Sequence, residues 1–192
     1  MMDKKNRPAI CVFCGASYGN DPKFREAAET MGIGIAKAGY SLVFGGGGLG
    51  LMGVVAKAVQ EGGQVVQGIM PAFLQNLEPP VSPEEKLIIT PHIQERKALM
   101  LQMSDAFVVL PGGLGTFDEF FEVATEAQLG VHKKPIIVVN VNGYFNALDA
   151  MLRGIVAARF AKDMILKLYH LADGPEDALK ILAECLAHPA QI

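Results

Sequence analysis

The apolar run Ala106-Phe107-Val108-Val109-Leu110 passes directly into Pro111-Gly112-Gly113-Leu114-Gly115-Thr116-Phe117-Asp118-Glu119. The run reads as a buried strand, and from Thr116 the spacing of Phe117, Phe120, Phe121 and Ala124 takes up a helical period. The glycines therefore sit at a strand-to-helix turn, where a backbone without side chains lets an anion approach free N–H groups at the positive end of a helix dipole. Glu119 follows Thr116 by three residues, so a carboxylate shares a helix face with a hydroxyl above that anion site.

A similar turn comes earlier, where Tyr40-Ser41-Leu42-Val43-Phe44 runs into Gly45-Gly46-Gly47-Gly48-Leu49-Gly50-Leu51-Met52-Gly53. Tight packing of helix on strand also selects glycine, so one such turn is weak evidence for a ligand and two are better evidence. Neither run ends in Gly-Lys-Ser/Thr, which disfavours a nucleoside triphosphatase.

The rest of the chain alternates the same way. Strands are expected at Pro8–Cys14, Ser41–Phe44, Gln64–Met70, Lys86–Thr90, Ala106–Leu110, Pro135–Val141 and Ile165–Leu171. Helical patterns lie between them near Asp21–Ala38, Leu51–Glu61, Ile93–Met103, Thr116–Leu129, Phe145–Phe160 and Pro175–Ala187. Strands rich in Val, Ile and Leu without strict alternation are buried on both faces. The expectation is an α/β fold of Rossmann-like type, a doubly wound parallel sheet with helices on both faces. A chain of 192 residues, 51% of them hydrophobic, buries one sizeable core, so residues 1–192 are expected to form a single nucleotide-binding domain. In such sheets ligands collect beyond the carboxyl ends of the strands, where both glycine turns and Cys14-Gly15-Ala16-Ser17 fall. The segment Ala72–Glu85, rich in proline and acidic residues, is either a flap or a plain surface loop.

A net charge of −3 gives no global attraction to polyanions and argues against nucleic acid or a membrane surface as partner. No charged-then-apolar leader opens the chain, and no apolar run approaches the roughly 20 residues of a membrane span, which makes the cytoplasm the expected compartment. Cys11 and Cys14 stand three apart in a strand and face opposite sides, as buried thiols rather than a chelate. His92, His132, His170 and His188 follow no ligand spacing, so no metal is expected. Arg96 and Lys97 open a helix as neighbours, about 100 degrees apart around its axis, and a solvated basic pair is the ordinary explanation of such residues.

Together these segments resemble the LOG family of cytokinin-activating phosphoribohydrolases, often mislabelled lysine decarboxylases. Its hallmark, Pro-Gly-Gly-x-Gly-Thr-x-x-Glu preceded by Arg-Lys, stands complete at Pro111–Glu119 with Arg96-Lys97 before it. Val12–Ser17 and Gly45–Gly53 are similar to two earlier nucleotide-site segments of the family, and the chain departs from it at Ile93-Gln94, where Met-His is common.

The resemblance implies hydrolysis of the N-glycosidic bond of a nucleoside 5′-monophosphate, an N6-modified AMP or AMP itself, to free base and ribose 5-phosphate. It makes Arg96 and Glu119 the catalytic pair and places Gly112, Gly113, Gly115 and Thr116 around the 5′-phosphate. Ser17, Lys97, Gly46 and Gly47 become further nucleotide contacts. No cofactor is implied, and a homodimer is, with the apolar Leu99-Met100-Leu101-Met103 stretch serving either core or interface.

The residue types suit that chemistry, since a carboxylate near the sugar meets the positive charge that develops as the bond breaks. Glu122, on the same helix side, reads as a solvated carboxylate. One alternative is a nucleotide or cofactor carrier of the same fold that binds without turnover. A nicotinamide-dependent oxidoreductase ranks lower, because Gly45–Gly50 lacks the dinucleotide spacing.

Overall fold

The computed structural model describes residues 7–75 and 86–188, and most of the expected loop 72–85 lies outside them. Seven strands form one sheet in the order β4-β3-β2-β1-β5-β6-β7, every neighbouring pair parallel. They are β1 Ala9–Phe13, β2 Ser41–Phe44, β3 Val66–Pro71, β4 Lys86–Thr90, β5 Ala106–Val109, β6 Ile136–Val139 and β7 His170–Ala172. The helices are α1 Pro22–Lys37, α2 Gly50–Glu61, α3 Ile93–Gln102, α4 Leu114–Gln128, α5 Asn146–Ala157 and α6 Pro175–Ala187.

Local chemistry explains the helix boundaries. Asp21 caps α1 by accepting from the Lys23 amide at 2.9 Å, with Pro22 preset in the first turn. The helix ends before Gly39, whose φ of +78° turns the chain into β2. Pro175 opens α6, followed by Glu176 and Asp177 at the positive end of the helix dipole.

The central strands are buried on both sides and divide their side chains between two cores. Ile10 and Val12 of β1 face the core beneath α1, α2 and α6, while Cys11 and Phe13 face the core beneath α3, α4 and α5. This is the doubly wound arrangement expected, and it puts Cys11 and Cys14 on opposite faces as buried free thiols. Burial pushes both thiols up, away from reactive thiolate.

The expected strand Ile165–Leu171 needs correction. Asp163–Lys167 is a 3-10 helix and the strand is only His170–Ala172. Ile165, Leu168 and Tyr169 reach the core from a turn whose three- and four-residue spacing a short apolar run does not distinguish from a strand. Helix α4 begins at Leu114 rather than Thr116, which moves its first free amides into the glycine turn. No helix among the described residues is long and apolar enough to cross a membrane.

Candidate active site

Strand order reverses between β1 and β5, and the loops leaving these two strands meet there. The Leu110 amide donates to the Phe13 carbonyl at 2.9 Å and the Gly15 amide to the Pro111 carbonyl at 3.0 Å, so the two loops stay zipped beyond the ladder. Gly112 is the tightest point: a Cβ there would strike the Gly15 amide nitrogen and the Thr116 hydroxyl. Thr116 is buried beneath the turn, and Tyr144, from the loop after β6, donates its hydroxyl to the Gly112 carbonyl at 2.6 Å.

From Gly113, which is extended with φ −92° and ψ −158°, the chain enters α4 without a side-chain cap. The amides of Leu114, Gly115 and Thr116 have no acceptor among the described residues. Around Gly113 and Gly115 a Cβ would meet nothing within 4 Å. Free donors, open space and a helix N-terminus together are the features that favour an anion.

The earlier turn is built differently. Leu51 and Met52 at the start of α2 donate their amides to the Gly15 carbonyl, at 3.0 and 3.3 Å. Gly50, at φ +58°, lies so close to the Ala16–Ser17 backbone that a side chain has no room. Gly46 and Gly47 are buried, Gly46 at φ +81° against Leu87 and Met70. Ser17 is exposed on the loop after β1.

The charged residues converge on α4 from α3, which links edge strand β4 to central strand β5. Arg96 donates Nε to the Ile69 carbonyl of β3 at 3.1 Å, lies against the bare backbone of Gly45, and brings Nη2 to 3.3 Å from Glu119 Oε1. Their side chains are 12% and 9% exposed. Lys97 sits between Asp118 Oδ2 at 3.0 Å and Glu122 Oε2 at 2.6 Å. The solvated basic pair is therefore corrected, because each cation has its own carboxylate partners on α4. Glu122 is likewise paired rather than solvated, with its side chain 32% exposed.

These surroundings set the protonation states. Burial raises the Glu119 carboxyl to about 7, with Asp118 and Glu122 pushing the same way and Arg96 and Lys97 pulling it down. Lys97 shows the reverse balance. Burial works against its charge, but hydrogen bonds to Glu122 and Asp118 hold its ammonium above the ordinary value.

Beside Glu119, a cavity of about 10 Å³ bordered by Phe13, Lys97 and Glu122 is at the lower limit for one water, too small for a larger molecule. A cleft of about 890 Å³ bordered by Pro8, Asp105, Pro135 and His170 lies at the amino ends of the strands and contains none of these site residues. Among the described residues no group of three or more His, Cys, Asp or Glu is arranged to hold a metal ion.

Of the residues expected from sequence, Arg96 with Glu119 and Gly112 with Thr116 are thus brought into contact. Lys97 reaches the same helix but is engaged by carboxylates. Sequence reasoning missed Gly45, Asp118, Tyr144 and the Ile69 carbonyl. Only Gly45 had a signal, its place at the head of the glycine run.

Residues 52–182 match a family model described as possible lysine decarboxylase. The chain is 38% identical over 185 residues to the cytokinin riboside 5′-monophosphate phosphoribohydrolase LOG7 of Arabidopsis thaliana, covering 96% of this chain and 85% of that protein. It is 38% identical over 173 residues to the enzyme LOG of Oryza sativa subsp. japonica, covering 83% and 72%. Among solved structures, the molybdenum cofactor carrier protein of Chlamydomonas reinhardtii superposes with a TM-score of 0.71 at 23% identity, covering 95% of this chain and 99% of that one. The molybdenum cofactor binding protein of Rippkaea orientalis gives 0.70 at 22%, covering 94% and 98%. At that identity these two likenesses establish the fold alone.

Proposed function

The chain belongs to the LOG family, and from that premise we infer that it hydrolyses the N-glycosidic bond of a nucleoside 5′-monophosphate, with an N6-modified adenosine monophosphate or AMP as substrate. The observation that carries the reading is the Arg96–Glu119 pair standing one helical turn from three unpaired amides at the start of α4.

In this reading the 5′-phosphate sits on the amides of Gly113, Leu114, Gly115 and Thr116, and the ribose lies over Glu119. The ionised carboxylate stabilises positive charge at the anomeric carbon and orients the attacking water. Water adds its hydroxyl to that carbon as the bond to the base nitrogen breaks, and the water proton passes through Glu119 to the departing nitrogen. A carboxyl near pKa 7 suits both halves of that transfer. Arg96, fixed by the Ile69 carbonyl, supplies charge-assisted hydrogen bonds to the substrate. Lys97 positions α4 through Asp118 and Glu122, and Ser17, Gly46 and Gly47 complete the wall toward the nucleotide.

Decarboxylation of lysine through a Schiff base calls for a lysine of depressed pKa. Lys97 is shifted the other way, and Lys134, which is lowered by burial, borders the cleft at the opposite end of the sheet. We further propose a homodimer, because Ile93 and Met103 at the two ends of α3 and Leu114 and Leu129 at the two ends of α4 leave apolar surface exposed. A cytoplasmic location belongs to the same reading.

The test is incubation with N6-isopentenyl-AMP, with chelator and without pyridoxal phosphate. Free N6-isopentenyladenine and ribose 5-phosphate are expected in equal amounts, and the unphosphorylated riboside should be a poor substrate. Tight nucleotide binding without base release, across purine and pyrimidine monophosphates, would favour a carrier. Carbon dioxide released from lysine would overturn the assignment.

A further inference from the structure

We propose that Tyr144 is a positioning residue for phosphate recognition, fixing the orientation of the Gly112–Gly113 peptide through its hydroxyl. The inference rests on the phosphate site proposed above and adds to it a residue outside the family signature.

The hydroxyl of Tyr144 donates to the Gly112 carbonyl at 2.6 Å. A trans peptide is planar, so its carbonyl and the following N–H point in opposite directions. Tying down the Gly112 oxygen therefore aims the Gly113 N–H away from Tyr144, and that amide has no acceptor among the described residues. The bond also polarises the peptide and strengthens the same N–H as a donor. Consecutive glycines need such a restraint, because they give the turn little conformational preference of their own.

Tyr144 is itself held from two sides. Its ring meets Phe24 of α1 edge-on at 5.4 Å and Phe145 at 5.0 Å. Phe24 fits because Gly19 has no side chain; a Cβ there would stand 2.8 Å from the ring. Just before Tyr144, Asn142 adopts φ +51° and donates Nδ2 to Asp21 at 2.9 Å, the residue that caps α1. Helix α1 and the loops after β5 and β6 are joined at this one side chain. It is 38% exposed, so packing of the core does not account for its hydroxyl.

The experiment compares Tyr144→Phe with the unaltered protein on a nucleoside 5′-monophosphate and on the matching nucleoside. The substitution keeps the ring and deletes one hydrogen bond. The expected result is a KM for the monophosphate raised about tenfold, with kcat held within about twofold. Inhibition by ribose 5-phosphate should weaken by a similar factor, the slow nucleoside reaction should be unaffected, and Tm should shift little. If the unaltered protein prefers the monophosphate and Tyr144→Phe retains the whole preference, this inference fails and the phosphate site stands. If nucleoside and nucleotide turnover fall together, the hydroxyl has only a structural role and the inference also fails. If the unaltered protein does not distinguish the two substrates, the phosphate site and the role of Tyr144 both fall.

Discussion

At the start of α2, the amides of Leu51 and Met52 both donate to the Gly15 carbonyl, whereas at the start of α4 the amides of Leu114, Gly115 and Thr116 have no acceptor among the described residues. Both helices follow a strand through a glycine-rich turn, and in sequence they look like two versions of one device. The first turn spends its donors on holding the neighbouring loop, with Gly50 permitting backbone to touch backbone. The second keeps its donors available. Glycine enrichment therefore reports close approach of the protein's own backbone in one case, and in the other, under the proposed function, room for a ligand.

The comparison would break most completely if chemistry did not belong to the open turn. Glu119→Gln should lower kcat by about 10²- to 10³-fold, or roughly 2.7–4 kcal/mol, while calorimetry still detects monophosphate binding. Single-turnover cleavage at the unaltered rate by the folded variant would remove Glu119 from the mechanism.

Paired alanine substitutions sharpen the contrast further. Gly50→Ala combines a left-handed φ with a clash against Ala16 and Ser17, and should cost about 2–4 kcal/mol of stability, seen as a Tm lower by on the order of 10 °C. Gly115→Ala meets no atom within 4 Å among the described residues and should leave Tm nearly unchanged while raising the KM for nucleotide about tenfold, because the methyl enters the proposed anion space. If each variant produced the other's effect, the roles assigned to the two turns would be reversed.

The smallest effect concerns pH. With a Glu119 pKa of about 7, kcat/KM should fall with unit slope below that pH as the carboxylate is protonated. Stability runs the opposite way. The folded pKa lies above the unfolded one, so the carboxyl's contribution is full below the unfolded value near 4.5 and fades as pH rises through 7. Asp118 is one of the groups that raise Glu119, so Asp118→Asn should move the activity limb to lower pH by a fraction of a unit. A limb that does not move in this variant would be assigned to the substrate phosphate, which titrates near pH 6.

Much of the fold was legible because each of its central strands is a continuous apolar run and most helices keep their period to within a residue or two of their ends. Pro175 marks a helix start through φ chemistry that sequence states directly, and the structure shows Asp21-Pro22 doing the same for α1. The short final strand was misplaced because apolar spacing in Ile165–Tyr169 serves a 3-10 turn equally well. At the site, the α4 signature was readable as a phosphate turn with an acid beside it. The pairing of Lys97 with Asp118 and Glu122 was not, since adjacent charges on a helix are usually solvated and only the arrival of α3 against α4 excludes water from them. Nor was the capping of α2 by Gly15, because a carbonyl acceptor has no signature in the residue that carries it.

That last property has an evolutionary consequence. Arg96 is oriented by the Ile69 main-chain oxygen, which Val or Leu at position 69 would present equally well. Drift at the accepting position is then invisible to catalysis so long as the strand holds its place, while the donor, which needs a particular side chain, has no such latitude. A saturation-mutagenesis map of this protein should accordingly show a one-sided dependency, with Arg96 intolerant and its structural partner at position 69 permissive among β-forming hydrophobic residues. Covariation between the two positions should be weak even though they are in direct contact.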